Sequence, residues 1–297
     1  MKKIFLMAII AASIVSCKKD DGNGNGGSGS GGPQITSATF QTQYSAGAKF
    51  AGYTVDSGII STPISGANQS YNYANITMGA AWKDTLKTPG TAFSGATYMQ
   101  GASLNLLNQN AAFFRYYKVD NTNWTILGDA VSAVNVNIPG TGSLSSSAQN
   151  SAKSPNQILV NFPVSYTDSF SQVSNSELNF TANATVPVFG TITGPLSVKQ
   201  ETTVTSKNLS WGTLKLKGYT DSMQCVVQKY TTSVKTNFSS TNALINGLID
   251  QILNQVTSGA VNNNQVVTTT MYRFWVANKG LVMTLNANGT ANVTTGL

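Results

Sequence analysis

The chain has 297 residues, 18 of them Lys or Arg, 11 Asp or Glu, and none His. Without His there is no Ser-His-Asp triad, no Cys-His dyad and no imidazole-ligated zinc. Charged residues are 10% of the chain, well below the usual share of roughly a quarter, while 41% hydrophobic residues supply enough apolar material for a folded core.

The N-terminus reads as a leader. Met1, Lys2 and Lys3 form a positive start, and residues 4–15 are an apolar run. That run falls short of the roughly 20 residues needed to span a bilayer, but suits the hydrophobic stretch of a signal peptide. It ends in Ile14-Val15-Ser16-Cys17. A small residue before a Cys after such a run resembles the lipobox of bacterial lipoproteins. The resemblance implies that Cys17 is lipidated, with acyl chains such as palmitate, and becomes the mature N-terminus; several chains anchor stably where one is marginal. Lys18, Lys19, Asp20 and Asp21 follow, and resemble the surface-export signal of Bacteroidota lipoproteins. Residues 22–32, GNGNGGSGSGG, are a flexible tether. The expected organisation is a signal peptide over 1–16, the lipidated Cys and tether over 17–33, an N-terminal β unit over 34–150, and a C-terminal β unit with one helix over 151–297. Loss of Lys2 and Lys3 lowers the formal charge from +7 to +5. The lysines are scattered, which is not a nucleic-acid footprint.

Beyond the tether, Thr, Asn, Ser, Val and Gly dominate, favouring β over α. Residues 35–40 and 50–55 alternate as strands, as do 112–119 and 124–127, which flank a turn at Asp120-Asn121-Thr122-Asn123. Residues 131–138 alternate and end at Pro139-Gly140. The Ser- and Gly-rich stretch 141–155 marks a soft boundary. In the second half 158–166, 178–188, 213–217, 223–234 and 266–277 read as strands, and Asn278-Lys279-Gly280 as a hairpin turn before 281–285. One helix is predicted over 241–257: Leu244, Ile245, Leu248, Ile249, Ile252, Leu253 and Val256 recur at a period near 3.6, with Ser240 or Thr241 as its cap.

Several segments stand in a recognisable order: Gly52-Tyr53-Thr54-Val55-Asp56, Tyr71-Asn72-Tyr73-Ala74-Asn75-Ile76, Phe162-Pro163 with Tyr166, Asp168 and Ser169, Gly212-Thr213-Leu214, and Tyr272 to Trp275. Together they resemble a group of uncharacterised secreted and surface β-rich proteins of the Bacteroidota. The resemblance covers about residues 50–285 and implies fold and location; the group has no agreed activity.

No catalytic constellation is marked. A glycosidase needs two carboxylates across a cleft, for which Asp168 and Glu177 are the best candidates. Asp120 to Asn123 with Asp129 supply oxygens, but lack the spacing and bidentate Glu of a calcium loop. No metal or cofactor is therefore expected. Aromatics are the better binding candidates, because flat rings stack on sugar faces: Tyr116, Tyr117 and Trp124 are singled out, Tyr116 and Tyr117 pointing to opposite faces of one strand. Lys199, Lys207, Lys215, Lys217, Lys229 and Lys235 form a basic stretch that keeps a sheet face wet or meets an anionic surface. Asp84-Thr85-Leu86 and Asp221-Ser222-Met223 resemble short O-glycosylation sites of Bacteroidota exported proteins. Cys225 has no partner once Cys17 is acylated and reads as a buried thiol.

These readings predict an all-β protein of one or two sandwich-like units with a single packed helix. They place it at the cell outer membrane, lipid-anchored and facing outward. The expected role is a non-enzymatic binding or adhesion module for a glycan or surface protein, with no nucleic-acid partner. The alternatives are a carboxylate-based polysaccharide hydrolase and a passive structural component of the envelope.

Overall fold

The computed structural model describes residues 32–106, 109–138, 142–186, 190–257 and 262–296. Cys17, the Lys18, Lys19, Asp20 and Asp21 cluster, and most of the tether lie outside the described residues. In chain order the elements are α1 (Ser37–Gln43), β1 (Lys49–Val55), β2 (Gly66–Tyr73), β3 (Ala81–Thr85), β4 (Tyr98–Leu106), β5 (Gln109–Val119), β6 (Asn123–Val131), β7 (Val134–Ile138), β8 (Gly142–Ser146), β9 (Gln149–Asn161), β10 (Ser169–Val186), β11 (Gly190–Leu216), β12 (Met223–Ser239), α2 (Ala243–Gly247), α3 (Ile249–Thr257), β13 (Val266–Val276), β14 (Gly280–Asn286) and β15 (Ala291–Gly296).

Twelve strands follow one hydrogen-bonded path, β3-β1-β15-β14-β13-β12-β11-β10-β9-β6-β5-β4. The two ends of the path meet. Lys87, just past β3, and Met99 of β4 exchange backbone hydrogen bonds of 2.8 and 2.9 Å, and the Gln100 amide donates to the Asp84 carboxylate. The sheet is thus a nearly closed barrel, which leaves few free edges. The expected all-β class holds, but the strands join in one barrel-like sheet and do not separate clearly into sandwich units.

The physical reason lies in strands that are apolar on both faces. On β13, Phe274 and Val276 enter one core while Trp275 enters another. A sheet of this kind needs cover on both sides. Bulges at Tyr116/Tyr117, Asn208/Ser210 and Phe274/Trp275 bend it round, so one face becomes a lumen. The other face is covered partly by β2, which pairs in parallel with the last third of β11. Gly212 permits that approach, since a Cβ there would stand 1.9 Å from the Gln69 carbonyl oxygen.

Pairing is also thin between β9 and β10, where a single residue pair, Asn175 with Ser154, is in register. Side-chain amides bridge the gap. Gln172 accepts from Ile158 N (2.7 Å) and donates to Asn156 O (2.8 Å); Gln149 does the same for Asn179 N and O at 2.9 and 2.8 Å.

Two sequence expectations need correction. Residues 35–40 are not a strand: Ile35 makes one bridge to Val164, and α1 follows. Phe40 and Tyr44, four apart, thereby reach the same aromatic core. The single helix over 241–257 is two, α2 and α3, parted at Leu248 beyond Gly247, a poor helix former. Its cap is Asn242, whose side chain accepts from the amides of Leu244 and Ile245, not Ser240 or Thr241. Ile245, Ile249 and Leu253 pack on the ends of β10 and β11, but Leu244 is exposed.

Candidate functional site

The lumen holds a cavity of about 410 Å³, within the range of roughly 300–1,000 Å³ typical of small-molecule sites. Strand alternation sends one side-chain set from each wall inward. The contributors include Trp82 and Asp84 (β3), Tyr98 and Gln100 (β4), Arg115 and Tyr117 (β5), Trp124 (β6), Gln157 and Leu159 (β9), Tyr230 (β12) and Arg273 (β13). Tyr44, at the end of α1, also lines it.

Aromatic rings form much of the wall. Tyr98 and Tyr117 stack with centroids 4.7 Å apart, and Trp124 Nε1 donates to the Tyr98 hydroxyl at 2.9 Å. Phe40 and Tyr44 stack at 5.0 Å, and Tyr44 packs on Trp124 at 4.9 Å. Burial pushes the phenols of Tyr44, Tyr98, Tyr117 and Tyr230 above their ordinary value, so they remain neutral.

Charge is distributed unevenly. Arg115 makes a bidentate pair with Asp129, at 2.8 and 3.1 Å. Burial works against its charge, but Asp129 outweighs it and raises the guanidinium pKa. Arg273 is 7% exposed and sits over the Tyr230 ring, its Cζ 3.8 Å from the ring centre. Its Nη1 donates to Leu159 O at 3.1 Å. Among the described residues the ion pairs are Arg115–Asp129, Lys118–Asp120 and Lys199–Glu177, so Arg273 has no carboxylate partner. Burial pulls its pKa down, though a guanidinium stays protonated at neutral pH. Behind Arg115 and Asp129, Lys153 is 3% exposed and donates to Ser176 Oγ at 2.9 Å; burial lowers its pKa to about 8. Trp82 adds a buried indole N–H with no hydrogen-bond partner.

Of the aromatics singled out from sequence, Tyr117 and Trp124 line the lumen. Tyr116 points the other way and packs under Phe93 at 5.0 Å. Asp168 and Glu177 are not brought together: nine residues of extended chain, roughly 30 Å, separate them. Asp168 accepts from Ser165 N, and Glu177 accepts from Ser197 Oγ and pairs with Lys199. Asp120 caps its own turn, accepting from Thr122 N, Thr122 Oγ1 and Asn123 N and pairing with Lys118, while Asp129 is held by Arg115. Among the described residues no cluster of three or more Cys, Asp or Glu is placed to hold a metal ion. Of the basic stretch, Lys207 and Lys229 stand directly opposite each other and Lys235 stands opposite Glu201, all four exposed. Cys225 is fully buried, its thiol pushed up to about 12 by desolvation.

Sequence reading missed Arg115 and Arg273 as members of one site, and the buried Lys153 beside the Arg115–Asp129 pair. A signal existed. The chain has only two arginines, Arg115 and Arg273, and each sits at a position where alternation places it on the same face as an aromatic ring: half-buried Tyr117 two residues on, buried Trp275 two residues on. A charge in the apolar register of a strand is worth attention because it is costly there. No protein-family model matches the chain, and neither curated proteins nor solved structures give a match.

Proposed function

We propose that this chain is a non-enzymatic binding protein, anchored to the outer membrane through Cys17 and facing outward, whose barrel lumen receives a small molecule or the end of a glycan chain. The observation that carries the binding role is the 410 Å³ cavity, walled by stacked aromatics with polar groups pointing into it. Rings supply apolar contact and edges for hydrogen bonds, while a few convergent polar groups fix orientation. The anchor and location rest on the lipobox-like Ile14 to Cys17, the Lys18 to Asp21 cluster and the tether, together with the resemblance to Bacteroidota surface proteins.

The binding role is tested by native mass spectrometry and by quenching of tryptophan fluorescence, because Trp82 and Trp124 line the chamber. The panel holds neutral and acidic mono- to tetrasaccharides and naphthalene derivatives. Saturable quenching by at least one is expected. A folded protein that responds to none and releases no small molecule on denaturation would overturn the role. The location is tested by protease treatment of intact cells, in which the tether is cut first; a chain protected until the outer membrane is broken would be periplasmic. Cys17→Ala should abolish fatty-acid labelling, and persistent labelling refutes the anchor. Asp168 and Glu177 lie far apart, so this pair gives the hydrolase alternative no support.

A further inference from the structure

The chamber is chemically lopsided. Its two guanidiniums are the chain's only arginines. One is neutralised by Asp129; the other, Arg273, is buried with no counter-charge among the described residues. Lys153 adds a second buried cation close to the Arg115–Asp129 pair. Asp84 is the remaining carboxylate in the lining, half-buried, and it accepts from the Gln100 amide and its neighbouring Thr85 N. Isolated buried charges are costly and are usually paired. Tyr230 accepts a side-chain hydrogen bond from Arg273, but the phenols cannot supply a counter-charge, because burial keeps them protonated. The unpartnered N–H of Trp82 is a second donor in the same lining. A guanidinium, a free indole N–H and flat rings share one cavity, so the missing element is an acceptor that carries negative charge and an apolar body.

We infer that the lumen binds a carboxylate attached to a flat or apolar body: the carboxylate is held by Arg273, whose fork of donors matches it, and the body lies among Tyr44, Tyr98, Tyr117 and Trp124. The inference rests on the chamber being a binding site, and adds which end of the ligand is charged and what holds it. It also accounts for the choice of Arg over Lys at this position, since among the described residues the other cations outside ion pairs are lysines.

The test compares 2-naphthoate with its neutral analogue 2-naphthalenemethanol, by tryptophan quenching on the full chain carrying Cys17→Ala, which needs no detergent. A charge-assisted hydrogen bond in a buried site is expected to favour naphthoate about ten- to hundredfold. Arg273→Met, checked for folding by circular dichroism, should erase that preference by weakening naphthoate. Arg273→Lys, which keeps the charge but not the fork, should retain part of it. A sulfonate of the same ring system distinguishes a carboxylate site from one that takes any anion: the carboxylate is expected to bind tighter, and equal or tighter sulfonate binding overturns the carboxylate assignment. Equal binding of the neutral and acidic naphthalenes to the unaltered protein, or an undiminished preference in Arg273→Met, overturns the inference and leaves the chamber standing. Failure of every naphthalene to quench overturns the inference, and the binding role then falls only if the saccharides also give no response and denaturation releases no small molecule.

Discussion

β13 separates two regions of very different chemistry. On one side Phe274 and Val276 join an outer core of seventeen buried hydrophobic residues, drawn mainly from β1, β2, β11, β12, β14 and β15. Its main internal polar contact is satisfied, with Tyr71 Oη and Ser210 Oγ 2.6 Å apart. On the other side Arg273 and Trp275 face the lumen, where Gln157, Ser206, Gln228 and Lys153 are also buried. Some of these are paired, such as Trp275 Nε1 with Gln228 Oε1 at 3.1 Å. Others, Trp82 Nε1 and the charge of Arg273, are not. A protein shaped only for stability would fill both sides of the sheet alike. The outer core holds the barrel wall in shape, and the lumen tolerates groups that weaken the fold but suit a ligand.

The largest expected effect therefore belongs to the outer core. Phe274 is fully buried and meets Tyr71 edge-on, with ring centroids 5.3 Å apart. Phe274→Ala should cost about 3–5 kcal/mol, the usual range for an aromatic truncated in a packed core. Chemical denaturation measures it. A loss under about 1 kcal/mol would mean that the outer core is loosely packed, and the contrast between the two sides would lapse.

The lumen counterpart is Asp129→Ala, which leaves Arg115 without its partner. Breaking a fully buried pair costs about 3–5 kcal/mol. Arg115 keeps 23% of its side-chain exposure, so the lower end, about 3 kcal/mol, is expected. The double variant with Arg115→Met should recover much of that loss, since it removes the stranded charge. Equal destabilisation of the single and double variants would show that the pair acts through packing and not through charge.

Lys153 gives a pH-dependent version of the same comparison. Its pKa falls from an unfolded value near 10.5 to about 8 in the folded chain because burial disfavours the ammonium. Below pH 8 the folded protein carries the full penalty. Between about pH 8 and 10.5 the folded chain binds fewer protons than the unfolded one, so this residue's contribution to stability rises with pH. At 1.36 kcal/mol per unit the recovery is about 3 kcal/mol. Lys153→Met should accordingly be more stable than the parent at pH 7, by about 2 kcal/mol once the lost Ser176 hydrogen bond is counted. The advantage should vanish above pH 10.5. Taking the difference between the two proteins cancels the tyrosine titrations, and a flat difference across this window would refute the burial penalty.

Much of the β architecture was legible because it is local. Alternation in 266–276 and the Asn278-Lys279-Gly280 turn identify β13, its hairpin and β14, and Asn278 and Gly280 adopt the positive φ that such a turn requires. The Asp120 turn was legible for the same reason. Closure was not, because it depends on contacts far apart in sequence, such as β1 with β15 and β2 with β11. Alternation states that Tyr117 and Tyr116 oppose each other, but not which one faces a lumen. α1 was misread because Phe40 and Tyr44 fit a helical spacing over only two turns, too short for a periodic signal. The site was half legible. Tyr117 and Trp124 were found through ring chemistry, whereas Arg115 and Arg273 come from two strands whose inward registers meet only after the sheet has closed.

The smallest effect concerns the seam between β9 and β10, on the lumen side of the contrast. Gln172 replaces a missing stretch of ladder by accepting from Ile158 N and donating to Asn156 O. Gln172→Ala removes both bonds and leaves two main-chain groups to find water. A buried group left unsatisfied costs about 1–3 kcal/mol, and because Gln172 and Ile158 are only half-buried, the expected loss is about 1 kcal/mol. Hydrogen exchange reads the effect at residue level. The Ile158 amide should exchange faster in the variant, while the Phe274 amide, paired with β12 and β14 around the outer core, should keep its rate. Faster exchange at both positions would mean that the seam and the outer core open as one unit. The lumen would then be no softer than the core behind it, and ligand access through the seam would require the whole barrel to loosen.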